Sequence, residues 1–381
     1  HDTLIGDVNS NTIFGLGGND TINGGRGADI LDGGAGIDTL SYEDDNNAVT
    51  VTLGFNGAQT LATGLSHSTG DKISNFENIK GGSGNDILTG NNLDNKIWGG
   101  DGDDVIDGGL GDDWLNGEGG INTLSFASVN VGVTVNLGSA PSQNTGAGND
   151  TIFNFHNLIG TSKDDMLIGD GGDNVIEGGA GNDTINGAGG SDTASYAGAT
   201  AAVTVDLTLM GVAQNTKGAG IDSLLSIENL LGGKFNDTLI GNGITNKIDG
   251  GAGNDFITGG GGADVLTGGL GNDVFVYNSA TEGGDTITDF GTGLDKIGIL
   301  KSGFNIPGTV ALNGAGVNNF AAEYFVSGSG AVATKAHGQF VFDTDTFQLY
   351  WDDDGTGGNA AQLIATFDNG YNLLATDFIL T

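Results

Sequence analysis

A nine-residue pattern of glycine, aspartate and an aliphatic residue recurs along this chain and limits what it can fold into. The stretch "GGAGNDTIN" (178–186) has glycine at positions 1, 2 and 4, aspartate at position 6 and an aliphatic residue at position 8. The stretches "GGRGADILD" (24–32), "GGDGDDVID" (99–107) and "GGAGNDFIT" (250–258) repeat it. One inward side chain in nine fits a strand of about three residues. The other residues must turn the chain sharply, which glycine permits because it tolerates positive φ.

Two such strand-and-turn units make one coil of 18 residues, so residues 18 apart become neighbours on stacked parallel strands. Residues nine apart then lie on opposite edges. We therefore predict an all-β fold, a right-handed parallel β-roll or solenoid. Its centre is predicted to hold the position-8 side chains, which are Ile22, Leu31, Leu40, Leu88, Ile97, Ile106, Leu115, Leu124, Leu167, Ile176, Ile185, the small Ala194, Leu239, Ile248, Ile257, Leu266 and Phe275.

The same coil stacks the position-6 carboxylates in rows. Asp86 is expected near Asp104, and Asp255 between Asp237 and Asp273. Carboxylates at a strand spacing of about 4.8 Å would repel one another strongly. A hard cation that takes about six to eight oxygen ligands from side chains and turn carbonyls removes this repulsion, and calcium fits best. The sequence therefore predicts several bound Ca²⁺ ions.

Composition narrows the class of protein further. Asp and Glu number 48 against 11 Lys and Arg, a net charge of −37, which excludes nucleic acid and anionic membranes as partners. Glycine accounts for 75 of 381 residues, but its regular period and the presence of only two prolines favour an ordered repeat over disorder. The absence of cysteine excludes disulfides and thiolate metal sites. No apolar run approaches the roughly 18 residues of a membrane span.

More than a dozen GGxGxD nonapeptides in phase resemble those of the RTX (repeats-in-toxin) calcium-binding family, and the resemblance covers nearly the whole chain. It implies that the position-6 aspartate coordinates calcium together with turn carbonyls, including those of the glycines at positions 2 and 4. The implied metal ligands are Asp20, Gly25, Gly27, Asp29, Gly34, Gly36, Asp38, Gly82, Gly84, Asp86, Gly100, Gly102, Asp104, Gly109, Gly111, Asp113, Asp165, Gly179, Gly181, Asp183, Asp192, Asp237, Gly251, Gly253, Asp255, Gly260, Gly262, Asp264, Gly269, Gly271 and Asp273.

Some repeats depart from the pattern. Asparagine replaces the position-6 aspartate at Asn95, Asn122, Asn174 and Asn246, and two of these turns also lose glycines. Those turns carry less negative charge and less backbone freedom. We therefore expect calcium binding to be weak or absent there.

The repeats fall into blocks separated by connectors of a second, longer period. We interpret the connectors as insertions that bulge from an otherwise continuous roll, with a presented binding surface as the alternative. The C-terminal region resembles that of serralysin-type proteases and other RTX proteins, where it caps the roll and carries a type I secretion signal. The predicted segments are blocks 1–42, 79–126, 157–196 and 229–277, connectors 43–78, 127–156 and 197–228, and a C-terminal cap and secretion region 278–381.

Sequence motifs for catalysis are missing. The chain has no His-Glu-x-x-His zinc motif, and its histidines (His1, His67, His156 and His337) are isolated. It has no Gly-x-Ser-x-Gly elbow, because Ser66 beside His67 has the wrong glycine spacing. We therefore predict that this chain is not an enzyme.

Two functions follow as hypotheses. The first is a secreted, extracellular or cell-surface bacterial protein, such as a filament, surface-layer or adhesin component, that leaves by a type I system and folds on binding calcium. The alternative is the secretion-and-folding module of an RTX protease, lipase or epimerase whose catalytic domain precedes His1. The sequence begins inside a repeat, so we expect a processed product or a fragment. The expected partners are calcium and the type I apparatus; self-association and a surface or glycan partner stay open.

Overall fold

A computed structural model describes residues 1–54, 60–64, 67–308, 310 and 320–381 of the chain. Ser66, considered above, lies outside these residues. The chain divides into two compact units, His1–Asp192 and Thr193–Thr381. Within the described ranges, no helix has the length and apolar character needed to cross a membrane.

The first unit consists of short strands. They are β1 (Thr3–Ile5), β2 (Thr12–Phe14), β3 (Thr21–Asn23), β4 (Ile30–Asp32), β5 (Thr39–Ser41), β6 (Val49–Thr52), β7 (Thr60–Leu61), β8 (Thr63–Gly64), β9 (Lys72–Ser74), β10 (Asn78–Lys80), β11 (Ile87–Asn91), β12 (Lys96–Trp98), β13 (Val105–Gly109), β14 (Trp114–Asn116), β15 (Thr123–Ser125), β16 (Thr134–Asn136), β17 (Ser142–Asn144), β18 (Asn149–Phe153), β19 (Asn157–Ile159), β20 (Met166–Ile168), β21 (Val175–Glu177) and β22 (Thr184–Asn186).

The second unit begins with similar strands and ends with longer ones. They are β23 (Thr193–Ser195), β24 (Thr204–Asp206), β25 (Gln214–Asn215), β26 (Ile221–Leu225), β27 (Asn229–Leu231), β28 (Thr238–Ile240), β29 (Lys247–Asp249), β30 (Phe256–Thr258), β31 (Val265–Thr267), β32 (Val274–Tyr277), β33 (Asp285–Ile287), β34 (Lys296–Ile299), β35 (Phe325–Gly328), β36 (Gln339–Asp343), β37 (Gln348–Asp352), β38 (Gln362–Phe367) and β39 (Phe378–Leu380). One short α-helix, α1 (Phe320–Glu323), and the 3-10 helices Leu207–Leu209, Ala280–Glu282, Lys301–Phe304 and Ala375–Asp377 join them.

Parallel pairing between residues 18 apart builds the roll in both units. In the first, Leu4 pairs with Ile22 and Ile22 with Leu40. In the second, Ile248 pairs with Leu266. The position-8 side chains named above are all 0–1% exposed, so they form the central core. The prediction of a parallel β-roll is confirmed.

The connectors supply strands to the roll, which corrects their interpretation as bulging insertions. Strand β6 pairs in parallel with β11, and β9 pairs in parallel with β4. The physical reason is that Val49 and Val51, at 1% and 0% exposure, enter the core as the position-8 residues do. The connectors also contain the short strands β7, β8, β17 and β25, which pair in the antiparallel direction with β9, β6, β18 and β26 respectively.

The roll also continues beyond residue 277, where the nonapeptides stop. Strand β33 pairs in parallel with β31, and β34 with β32. Strands β38 and β39 extend these two ladders, and β36 and β37 add antiparallel pairs. Buried aromatic side chains pack at this end, with Phe340 in ring contact with Phe304, Trp351 and Phe378.

Candidate metal centre

Glycine at positions 2 and 4 lets each turn lie directly on the turn 18 residues before it. Gly100 and Gly102 have φ of 103° and 122°, values that other residues rarely adopt. A Cβ added to Gly100 would lie 1.9 Å from the carbonyl oxygen of Gly82. Among the predicted glycines, Gly82 and Gly84 alone lack positive φ.

Each position-6 carboxylate is held by a backbone N–H of an earlier coil. The Asp86 N–H donates to Asp104 Oδ1 at 2.8 Å, the Asp237 N–H to Asp255 Oδ1 at 2.7 Å, and the Asp255 N–H to Asp273 Oδ1 at 2.9 Å. The carboxylates therefore stand in columns, as the 18-residue coil predicts. The predicted aspartates with such a bond are Asp20, Asp29, Asp38, Asp86, Asp104, Asp113, Asp165, Asp183, Asp192, Asp237, Asp255, Asp264 and Asp273.

Among the described residues, the second oxygen of several of these carboxylates is buried without a hydrogen-bond donor. The atoms are Oδ2 of Asp20, Asp29, Asp38, Asp104 and Asp255, all in side chains 0–1% exposed. A buried carboxylate oxygen without a partner is strongly unfavourable unless a cation or a proton neutralises it. These atoms therefore mark the places where a cation would stabilise the fold.

At Asp104 and Asp255, a carbonyl oxygen of the next turn lies close to the same space as the unpartnered oxygen, beside the position-1 glycine. A Cβ added to Gly99 would lie 2.2 Å from Asp104 Oδ2 and 2.7 Å from the carbonyl oxygen of Gly117. At Gly250 the same atom would lie 2.5 Å from Asp255 Oδ2 and 2.6 Å from the Gly268 carbonyl oxygen. Only glycine keeps this space open. A cradle of carboxylate and carbonyl oxygens suits calcium.

The position-1 glycines line this space, and the predicted ligand set did not include them. That set named carbonyls at positions 2 and 4, and the position-2 carbonyl also accepts an N–H from the next turn. Leu270 N–H donates to the Gly251 oxygen at 2.8 Å, and Asp101 N–H to the Gly82 oxygen at 3.0 Å. The regular glycine at position 1 was the available sequence signal.

Burial and neighbouring charges both disfavour ionised carboxylates in the columns. Burial is the main cause that raises the pKa of Asp104 to about 7. The charge of Asp86 also raises this pKa, while the backbone hydrogen bond from Asp86 lowers it. Burial likewise raises the pKa of Asp255 to about 7, and the charges of Asp273 and Asp237 add to the effect. Burial raises the pKa of Asp113 to about 8.

In three of the predicted aspartates, the second carboxylate oxygen instead accepts an N–H of the same turn, and we call such turns closed. Oδ2 of Asp86 accepts the Gly82 N–H at 2.8 Å, and Oδ2 of Asp237 accepts the Gly233 N–H at 2.7 Å. Oδ2 of Asp165 accepts the N–H of Thr161, which replaces the position-2 glycine, at 2.6 Å. Gly82 and Gly233 do not have positive φ, so their N–H groups face the carboxylate. These turns lack the unpartnered oxygen found at Asp104 and Asp255.

Three asparagines close their turns more completely. Nδ2 of Asn95, Asn174 and Asn246 donates to the carbonyl of Glu77, His156 and Glu228 respectively, each at 2.7 Å. Each Oδ1 accepts an N–H of its own turn at 2.7–2.8 Å. The side-chain amide thus occupies the space beside the position-1 glycine. This geometry supports the expectation of weak or absent calcium binding at these three turns.

Beside each of these three asparagines, a second asparagine at the end of a connector accepts the N–H of the residue that follows the first one. Oδ1 of Asn78 accepts the Lys96 N–H at 3.0 Å, and Oδ1 of Asn229 accepts the Lys247 N–H at 2.9 Å. We call the pairs Asn78–Asn95, Asn157–Asn174 and Asn229–Asn246 the asparagine seams. Asn122 differs, because its Nδ2 donates to the carbonyls of Gly119 and Asn154.

Further aspartates that the sequence analysis did not select continue the columns. Asp29 N–H donates to Asp71 Oδ1 at 2.8 Å, and Asp113 N–H to Asp150 Oδ1 at 3.0 Å. Beyond the last nonapeptide, Asp285 and Asp295 accept the N–H groups of Asp264 and Asp273, both at 2.9 Å. Each new aspartate follows a nearby glycine and precedes an aliphatic residue by two positions, which was a usable signal outside the 18-residue period.

Neutralising one open carboxylate is expected to raise the calcium concentration needed for folding. Asp104→Asn keeps an acceptor for the Asp86 N–H but removes the charge of the buried oxygen. The midpoint of a calcium titration followed by circular dichroism should rise several-fold. The matched control is Asp103→Asn, which makes the same charge change at the exposed neighbouring residue. Equal midpoints for the two variants would contradict a ligand role for Asp104.

A comparison with protein families matches the same turns. A family model described as the RTX calcium-binding nonapeptide repeat (4 copies) matches residues 2–40, 75–92, 89–124, 159–194, 226–243 and 240–275. No curated protein matches the chain. The last family match ends before Asp285 and Asp295, although the structure carries the columns on to both residues.

Proposed function

The chain carries RTX calcium-binding nonapeptide repeats, and from this premise we propose that it works outside the cell as a structural or surface component that is rigid only with calcium bound. In this proposal it forms part of a filament, surface layer or adhesin. The open carboxylates carry the proposal, because Oδ2 of Asp104 and Asp255 is fully buried and has no protein donor. A fold that depends on a cation at so many turns is suited to a calcium-rich compartment.

The location follows from the calcium supply. Extracellular calcium modules bind at about 10⁻⁴–10⁻³ M, and the bacterial cytoplasm holds far less free calcium. Binding to the folded state alone stabilises it by mass action, and the contributions of several sites add. We infer that the chain stays unfolded inside the cell, leaves through a type I system and folds outside. The C-terminal segment 278–381 is the proposed cap and secretion region.

The alternative function is that of a secretion-and-folding module attached to a secreted RTX enzyme. Two of the described histidines contact backbone groups of the roll. His156 Nδ1 accepts the Asn122 N–H at 3.2 Å, and His1 Nδ1 accepts the Asn19 N–H at 2.7 Å. Both rings therefore support backbone groups of the roll. The proposed absence of catalysis concerns this chain and leaves open what a longer protein would do.

Assembly distinguishes the two functions. A structural component should form oligomers, filaments or sheets when calcium is added to the isolated chain at millimolar concentration. Light scattering during a calcium titration, followed by electron microscopy, measures this directly. Magnesium at equal ionic strength is the control for simple charge screening. A chain that binds calcium, folds and stays monomeric would contradict the structural proposal and favour the module.

A further inference from the structure

Three aromatic side chains form a ladder on the outer face of the first unit. Trp98, Trp114 and Phe153 lie on the successive strands β12, β14 and β18. Their ring centroids are 5.2 Å and 5.6 Å apart, and neighbouring ring planes are tilted by 49° and 51°. The neighbouring residues Ile97 and Leu115 on the same strands point inward and are buried in the core. All three rings are partly exposed.

The roll does not require aromatic residues at these positions. Trp114 is the first residue of its strand, where β1, β3 and β5 of the same sheet have threonine. Trp98 and Phe153 share the register of Asn116, the third residue of β14, where β3 and β5 have the polar residues Asn23 and Ser41. These strands keep the same parallel register with buried aliphatic residues at their centres. The outer aromatic ladder is therefore an addition to the fold rather than a part of its core.

Trp98 lines two open cavities. One has a volume of about 360 Å³ and is lined by Trp98, Lys80, Glu43, Asp101 and Glu118. The other has a volume of about 400 Å³, and Trp98 and Trp114 contribute to its wall. Both volumes fall in the range of small-molecule sites, about 300–1,000 Å³. Trp98 and Trp114 thus face space that a ligand can enter, and Phe153 extends their row on the next strand.

Charged groups surround the rings closely. Lys80 Nζ lies 5.9 Å from the Trp98 ring centroid and 3.2 Å from Glu43 Oε2. Asp94, Lys96 and Asp112 line the second cavity. Polar groups placed beside apolar rings are the hydrogen-bonding groups that orient a ligand in a small-molecule site. A net charge of −37 disfavours polyanions.

We propose that Trp98, Trp114 and Phe153 form a binding platform for a neutral polysaccharide. The C–H face of a pyranose ring carries partial positive charge and stacks on the negative π-face of an aromatic ring. Its hydroxyl groups can then donate to Glu43, Asp101 and Glu118 and accept from Lys80. Successive rings 5.2–5.6 Å apart suit successive sugar units. This binding is separate from calcium coordination and uses the calcium-loaded roll only as its support.

Native affinity electrophoresis with saturating calcium tests the platform. The gels contain hydroxyethylcellulose, laminarin or galactomannan as neutral probes, and dextran sulfate as the polyanion. We expect at least one neutral probe to retard the chain, dextran sulfate not to do so, and Trp98→Ala to weaken binding about tenfold, the loss of one stacked ring. Phe256→Ala is the control, because it removes an aromatic side chain that is 52% exposed on another strand.

A second variant keeps the test decisive if Trp98→Ala does not fold. The double change Lys80→Gln and Glu118→Gln alters only rim groups, and it should also weaken retardation while the circular dichroism spectrum stays unchanged. The proposal is overturned if no neutral probe retards the chain. It is equally overturned if retardation survives both variants, if dextran sulfate binds instead, or if Trp98→Ala dissociates a dimer of the chain.

Discussion

Removing calcium is expected to abolish the folded roll, with loss of the β-sheet circular dichroism signal and of resistance to protease. The nonapeptide repeats bury one aliphatic side chain in nine residues, while glycine makes ordering of the backbone entropically costly. The carboxylate columns add repulsion, since Asp237, Asp255 and Asp273 follow one another at hydrogen-bonded spacing. Hydrophobic burial is therefore insufficient without a cation.

The measurement is circular dichroism during chelation with EGTA and subsequent return of calcium, combined with limited proteolysis. Magnesium is the matched control, because it demands a smaller octahedral shell and gives up its water ligands reluctantly. We expect recovery with calcium and little recovery with magnesium. A chelated chain that keeps its full β-sheet signal would refute the coupling of folding to calcium.

In calcium-free solution, acid is expected to restore structure that neutral pH destroys. The folded-state pKa values of Asp104, Asp255 and Asp285 are raised to about 7, chiefly by burial, from an unfolded value of about 3.9. Between these values the folded state binds more protons than the unfolded state. The free energy of unfolding therefore falls as pH rises from about 4 to about 7, and the stabilisation is fully present only below that window.

Circular dichroism of the calcium-free chain between pH 5 and pH 8 measures this effect. The double variant Asp104→Asn and Asp255→Asn is the control, because removing two of the titrating groups should flatten the pH dependence. Adding calcium at pH 8 should replace the effect of acid in the native chain. A calcium-free chain that becomes more stable as pH rises would contradict the assignment.

The roll and its carboxylate columns could be predicted from sequence because one period fixes both. Ile257 enters the core and Asp255 joins a column for the same reason, namely their fixed distance from the turn glycines. The connectors were harder because they break that period. Val51 reaches the core opposite Leu88, which is 37 residues away, so no repeat length reveals the pairing.

The difference between open and closed turns could not be predicted from residue type alone. Asp86 and Asp104 occupy the same position of similar repeats, but a backbone N–H closes the first and no donor reaches the second. The distinction depends on φ at the position-2 glycine, which is positive at Gly100 and not at Gly82. That angle follows from the turn stacked below, which the local sequence does not specify.

The asparagine seams bear on how such a chain can lengthen in evolution. Their closing residues, Asn95, Asn174 and Asn246, are 79 and 72 residues apart. Each seam closes its turn with protein hydrogen bonds alone, so a cut made there would not separate two turns that we propose to share an ion. A seam-to-seam segment can then be copied or deleted as a cassette without leaving half a metal site at either junction. Gene duplication at these points would change the length of the protein while every remaining turn kept its chemistry.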